Sequence, residues 1–176
     1  MVTTKIVLLG YMGSGKTAVG EHLATVLNQS FIDLDHYIEI NQQQSISAIF
    51  QSKGELYFRN LERKALEELM QLDEHQILSL GGGTPCYYDN MDFLNAQKKT
   101  VTVYLQTGIE ELSNRLFESN NLRPLIAHLT DIEQLQEFIG KHLFERSRFY
   151  SSAKIIIKTD GKSVEEVTSE LIEKLT

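Results

Sequence analysis

Gly10-Tyr11-Met12-Gly13-Ser14-Gly15-Lys16-Thr17 follows the apolar run Ile6-Val7-Leu8-Leu9 and opens a helical pattern at Ala18. The octet fits G-x-x-x-x-G-K-[ST], and its place between a strand and a helix gives the pattern weight. Glycines at 10, 13 and 15 let the loop curl so that backbone N–H groups face phosphate oxygens. The helix start adds its unpaired N–H groups and positive dipole end. Lys16 is placed to reach the β- and γ-phosphates, and Thr17 to offer its hydroxyl to Mg²⁺. The stretch reads as a nucleoside triphosphate site, against the weaker alternative of an ordinary Gly-rich turn.

Outward from this loop, short apolar strands alternate with longer helical stretches. Strand candidates are Lys5–Leu9, Phe31–Asp33, Gln76–Leu80, Thr100–Leu105 and Lys154–Lys158. Continuous runs such as Ile6-Val7-Leu8-Leu9 and Ile155-Ile156-Ile157 suit strands covered on both faces, as in a parallel sheet. Phe58, Leu61, Ala65 and Leu69 recur at helical spacing, as do Val164, Val167, Leu171 and Leu175. The alternation predicts an α/β fold, a three-layer α/β/α domain with a central parallel sheet of about five strands. No repeat, low-complexity tract or Pro/Gly-rich linker divides the chain, so residues 1–176 are expected to form a single domain.

Composition excludes several classes of function. A net charge of −7 argues against broad nucleic-acid binding. No apolar stretch approaches the roughly 18 residues of a membrane span. Met1-Val2-Thr3-Thr4-Lys5 leads straight into the first strand, with no room for a signal peptide. The single cysteine, Cys86, makes no internal bridge, which suits a reducing cytoplasm. Length and the lack of a second domain favour a monomer. An acidic chain that handles phosphates must gather its positive charge locally, so the six arginines, at 59, 63, 115, 123, 146 and 148, are each candidates for ligand contact.

Three further stretches carry chemistry. Asp33-Leu34-Asp35 ends the second strand, on the rim where ligands of open α/β sheets bind. If the extended conformation persists, both carboxylates project together, one toward a metal and the other toward an acceptor hydroxyl. The competing reading has Asp35 cap a helix beginning near His36. In Gly54-Glu55-Leu56-Tyr57-Phe58-Arg59-Asn60-Leu61-Glu62, Arg59 and Glu62 lie one helical turn apart, where an ion pair can hold the guanidinium for a carboxylate or phosphate. A solvated surface salt bridge is the bland alternative. Gly81-Gly82-Gly83, straight after the third strand, permits close backbone approach to a ligand.

In this order the motifs closely resemble those of the shikimate kinase family. The resemblance runs through the loop at 10–17, Phe31 to Asp35, Ser45-Ile46-Ser47-Ala48-Ile49-Phe50, Gly54 to Glu62, Leu80 to Gly83, Leu122-Arg123-Pro124-Leu125 and Arg146-Ser147-Arg148-Phe149-Tyr150. It implies a P-loop kinase fold with a mobile lid, at roughly 113–127, and a substrate-binding helical region at roughly 34–62. It further implies transfer of the γ-phosphate of ATP, with Mg²⁺, to the 3-hydroxyl of shikimate on the route to chorismate and aromatic amino acids. Residue by residue, it implies that Gly13, Ser14, Gly15, Lys16, Thr17 and Ala18 hold ATP. Thr17 and Asp33 would serve the metal, and Asp35 would bind the shikimate hydroxyls and act as base. Arg59 and Arg146 would grip the shikimate carboxylate, with Gly82 donating a backbone contact and Glu62 steadying Arg59. Phe50 and Phe58 would line the ring's pocket, and Arg123 would close from the lid over the phosphates. Arg115 or Lys162 could lie near adenine. Another small-molecule kinase of the same fold, such as a gluconate or nucleotide kinase, and a non-catalytic P-loop switch are the rival readings.

Other residues have bland readings. The five histidines form no metal-ligand spacing. Cys86 reads as a passive thiol, and Tyr87-Tyr88 as packing rather than base stacking.

Overall fold

Five strands pair in parallel in the order β2-β3-β1-β4-β5. They are β1 (Lys5–Leu9), β2 (Ser30–Asp33), β3 (Gln76–Ser79), β4 (Thr100–Gln106) and β5 (Ile155–Lys158). The computed structural model describes residues 5–72, 74–118, 126, 128–129 and 131–175. Seven α-helices occur among them: α1 (Lys16–Leu27), α2 (Leu34–Gln42), α3 (Ile46–Gln71), α4 (Asn90–Ala96), α5 (Ile109–Glu118), α6 (Ile132–Tyr150) and α7 (Val164–Leu175). A 3₁₀ turn covers Thr84–Cys86. The expected three-layer α/β/α architecture is present.

Alternation along the central strands splits the core in two. Ile6 and Leu8 of β1 join Ile77, Val103 and Leu105 against Val19 and Leu23 of α1 and Val167 and Leu171 of α7. Val7 and Leu9 face the other way, toward Leu34 of α2, Phe58 and Leu66 of α3, Leu94 of α4, Leu112 of α5 and Ile139 of α6. Every residue of β1 is buried, which explains the unbroken apolar run from Ile6 to Leu9. The chain leaves β1 for the α1 layer and leaves β3 for the opposite one. The crevice between these neighbouring strands is therefore the topological switch point, where ligands of such sheets bind.

Two local departures from the sequence reading matter for the site. Strand β2 stops at Asp33, and α2 begins at Leu34. The extended conformation therefore does not persist through Asp35, and the cap is Asp33, whose Oδ1 accepts the His36 amide at 3.1 Å. An Asx cap forms most readily where the backbone is still extended, as at Asp33 (φ −91°, ψ 123°), whereas Asp35 is already in the first helical turn. Helix α3 is also longer than its apolar spacing suggested, and it is interrupted at Gly54 (φ 81°, ψ 172°). Only glycine adopts that conformation cheaply. The break turns the face carrying Phe58, Arg59 and Glu62 independently of the preceding turns.

A methyl group at Gly54 would meet nothing within 4 Å, so a substitution there tests backbone strain alone. Gly54→Ala is expected to lower stability by about 1–3 kcal/mol in urea unfolding. An unchanged midpoint and slope would show that the break is not strained.

Candidate active site

The loop between β1 and α1 is built for an anion. Gly15 (φ 91°) occupies the N-cap position of α1 without a side chain to cap it, so the first amides of α1 are directed into the crevice. The Ser14 hydroxyl is buried and has no hydrogen-bond partner among the described residues, an arrangement that suits an incoming acceptor oxygen. Lys16 folds over the loop, its Nζ donating to the carbonyls of Gly10 at 2.9 Å and Tyr11 at 3.1 Å. Thr17 and Ala18 are exposed at the mouth. Arg115 joins from α5, donating from Nη1 to the Gly13 carbonyl at 3.1 Å and pairing with Glu111. Its guanidinium thus braces the outer turn of the loop.

No group of three or more His, Cys, Asp or Glu able to hold a metal occurs among the described residues. Mg²⁺ does not need one, since it takes one or two protein oxygens, phosphates and retained waters. The Thr17 hydroxyl and the Asp33 oxygen that does not cap α2 fit that donor set.

Asp35 lies in the first turn of α2, against Gly81. A Cβ at Gly81 would fall 2.9 Å from Asp35 Oδ1, so the glycine makes room for the carboxylate. Burial, reinforced by the charges of Asp33 and Glu62, raises the Asp35 pKa from 3.8 to about 6, with Lys16 and Arg59 pulling the other way. A carboxyl in a crevice with such a shift is poised to exchange a proton near neutrality.

Arg59 is gripped on several sides. Nη1 donates to Glu62 Oε2 at 2.8 Å, and Nη2 and Nε donate to Glu55 Oε1 at 3.2 and 3.4 Å. Glu62 is buried, and its Oε1 accepts from the Thr84 hydroxyl at 2.5 Å. The expected Arg59–Glu62 ion pair is therefore internal rather than a solvated surface bridge. The two Nη groups point at Gly83, where a Cβ would sit 2.9 and 3.0 Å away. The rings of Phe50 and Phe58 pack against each other with centroids 4.8 Å apart and planes tilted by 41°.

Arg146 reaches the same loop from α6. A Cβ at Gly82 would contact its Nη1 at 3.6 Å and the Met12 amide at 3.7 Å. Tyr150, one turn later on α6 and fully buried, donates to the Gly82 carbonyl at 2.6 Å and holds the loop in place. Tyr11, from the phosphate loop, lies under the Arg146 guanidinium at 5.5 Å and hydrogen-bonds His142 Nδ1 at 2.9 Å. Three successive glycines thus face Asp35, Arg146 and Arg59 in turn, beside the loop that carries Lys16.

The shikimate kinase family model matches residues 12–176. The chain belongs to the shikimate kinase family. A shikimate kinase of Flavobacterium johnsoniae is 43% identical over 97% of this chain and 98% of its own length. The crystal structure of the Bacteroides thetaiotaomicron shikimate kinase superposes with a TM-score of 0.89 at 38% identity, covering 98% of both chains. That of the Acinetobacter baumannii shikimate kinase in complex with shikimate gives 0.83 at 32% identity, covering 98% of this chain and 92% of its own. This chain is accordingly an ATP-dependent kinase acting on the shikimate hydroxyl.

Most of the sequence-predicted site residues of this chain converge. Lys16, Asp35, Arg59, Gly82 and Arg146 surround one crevice. Arg123 and most of the lid expected at 113–127 lie outside the described residues, while 113–118 are the last turns of α5. Lys162 is paired with Glu170 of α7 at 2.5 Å. Burial pushes the Cys86 thiol up to about 11, in keeping with a passive thiol. Thr84, Tyr11 and Tyr150 were not singled out as partners of the site; for Tyr150 a signal existed, its spacing of four from Arg146 on a helix. A cavity of about 470 Å³ opens at the opposite end of the sheet, lined by Lys5, Leu72, Lys98 and Thr100 among others. It lies at the amino ends of the strands, and Lys5 there donates to the carbonyls of Met70 and Leu72 at the end of α3.

The raised Asp35 pKa has a stability consequence with a definite sign. A carboxyl raised in the folded state contributes stability fully below the unfolded value near 4, and loses it as the pH climbs through about 6. Ionised Asp35 thus costs the ligand-free protein at most about 3 kcal/mol at pH 8. Asp35→Asn is expected to melt a few degrees higher than the parent at pH 8, with the gap closing toward pH 4. A pH-independent gap would deny the raised pKa.

Proposed function

We propose that ATP lies along residues 13–18 with its γ-phosphate toward Asp35, and that shikimate occupies the crevice between Asp35, Arg59, Gly82 and Arg146. The observation that carries this reading is the glycine loop at 81–83, which gathers one carboxylate of raised pKa and two guanidinium groups beside the phosphate loop. An acceptor that suits them has a hydroxyl to be activated and a carboxylate to be anchored, as shikimate has. Guanidinium forks match a carboxylate in two-pronged geometry.

In the proposed reaction, Asp35 accepts the proton of the attacking 3-hydroxyl as the oxygen bonds to the γ-phosphorus and ADP departs. Lys16 leaves the carbonyls of Gly10 and Tyr11 to meet the phosphate oxygens, and the amides at the start of α1 stabilise the same charge. Thr17 and Asp33 would hold Mg²⁺, which when bound neutralises charge on the phosphates. Arg123 is proposed to add a further positive charge from the lid. Phe50 and Phe58 shape the apolar side of the ring's pocket. A monomeric, cytoplasmic enzyme belongs to the same proposal, on the strength of a single-domain length and one unpaired cysteine.

The test is ADP release from MgATP with shikimate, gluconate and AMP assayed in parallel. Turnover with shikimate alone is expected. Asp35→Asn should cut kcat by about 10²–10⁴, and the acid limb of the parent's kcat/KM profile should have a midpoint near pH 6. Turnover of Asp35→Asn close to that of the parent would remove Asp35 as the base.

Arg59→Lys and Arg146→Lys keep the charge but lose the fork. Both should raise the shikimate KM while leaving the ATP KM nearly unchanged. Equal damage to the two constants would place these arginines away from the acid.

A further inference from the structure

Tyr87 stands apart from the residues assigned so far. It follows the 3₁₀ turn after the glycine loop and lies 28 residues from Arg59 in sequence. Even so, the Arg59 guanidinium carbon sits over its ring, 3.9 Å from the centroid. At that distance the ring and the guanidinium plane are in direct contact, closer than the 5.3 Å that separates Arg59 from the Phe58 ring. The Tyr87 hydroxyl donates to Glu55 Oε1 at 2.6 Å, the same oxygen that accepts from Arg59 Nε and Nη2. Ring, hydroxyl and carboxylate therefore close a triangle around one edge and one face of the guanidinium.

Among the described residues, the bonds to Glu55 and Glu62 use three of the five guanidinium N–H groups, leaving one on each Nη. Both Nη nitrogens approach Gly83, where a side chain's Cβ would fall 2.9 and 3.0 Å from them. Donors left on both Nη nitrogens are what two-pronged contact with a carboxylate needs. Its direction is set by rotation of the guanidinium about its own stem, and Glu62 alone holds only one nitrogen against that rotation. Tyr87 supplies a plane, and through Glu55 a second edge.

We propose that Tyr87, acting with Glu55, is a positioning residue that aims Arg59 at the carboxylate of the acceptor. This rests on the reading of Arg59 as a carboxylate ligand. Tyr87 does not touch the acceptor; it acts through the guanidinium. The neighbouring Tyr88 provides an internal contrast, since it is exposed and donates to Asn60 Oδ1 at 2.8 Å instead.

The experiment is steady-state kinetics on the full chain, with each substrate varied in turn. Tyr87→Leu is expected to raise the shikimate KM about 5- to 20-fold, the range of a partly desolvated cation–π contact. The ATP KM should stay within about two-fold, and Tyr88→Leu should change neither. Tyr87→Phe keeps the stack and loses the bond to Glu55, so a rise of about 2- to 3-fold is expected. In an Arg59→Lys background, Tyr87→Leu should add little, because an ammonium presents no plane to hold. If Arg59→Lys raises the shikimate KM but Tyr87→Leu and Tyr87→Phe do not, the positioning role is overturned while the carboxylate reading stands. If Arg59→Lys leaves that KM unchanged, both fall. Should Tyr87→Leu fail to fold, Tyr87→Phe and Glu55→Ala remove the same hydrogen bond from either end. Their effects on the shikimate KM should then be less than multiplicative in the double variant, and fully multiplicative effects would overturn the proposal.

Discussion

The parallel pairing of β1 with β3, from Lys5 opposite Gln76 to Leu8 opposite Ser79, is the constraint on which the site depends. Neighbouring parallel strands end at the same height, so the loops that follow them must lie side by side. The Leu80 amide continues the ladder by donating to the Leu8 carbonyl at 3.0 Å, which carries the pairing up to the edge of the crevice. Had another strand lain between β1 and β3, the phosphate loop and the glycine loop would be about 10 Å apart, two strand spacings instead of one. Instead the Met12 amide and Gly10 carbonyl lie in contact range of Gly82. In the proposed reading, donor and acceptor substrates meet because two backbones meet.

Charge balance is the second condition. Burial of Asp35 in one wall of the crevice, and then the charges of Asp33 and Glu62 beside it, favour its protonation. Lys16 and Arg59 oppose that effect without cancelling it. The outcome is a carboxyl whose proton affinity sits close to physiological pH, so that it can take a proton from an alcohol more readily than a carboxylate of ordinary acidity. The same burial and repulsion weaken the ligand-free fold, a common trade between stability and activity at such sites. Glu62 plays two parts here, pairing with Arg59 and raising Asp35, and burial keeps both effects strong.

Much of this was legible in the chain. The strands were found to within one residue; burial on both faces leaves the unbroken apolar run of Ile6 to Leu9, whereas β5, expected from Ile155 to Ile157 to be covered on both faces, is an edge strand whose Ile156 is exposed. The phosphate loop was legible because its chemistry is local, with every needed group inside eight residues. Arg59 and Glu62 were legible as a pair because a helix brings residues three apart together. The geometry of Asp33 and Asp35 was harder, since a strand can yield to a helix within one residue and the pattern of side chains does not say where. Tyr87 was least legible of all. Its contact with Arg59 joins a turn to a helix across the fold, and no periodicity encodes such a meeting. Arg123 was named from its Arg-Pro-Leu setting and lies outside the described residues, so its place in the crevice rests on sequence alone.

The enclosure of Arg59 has one more consequence, for when disorder is lost. A free arginine surrenders rotamer freedom worth about 2 kcal/mol when a ligand fixes it. In this chain the ring of Tyr87 and the carboxylates of Glu55 and Glu62 already hold that side chain. Its ordering occurs once, as the chain folds, rather than afresh at each turnover. An acid arriving in the crevice meets a group with little entropy left to lose, and more of each contact it makes there appears as affinity.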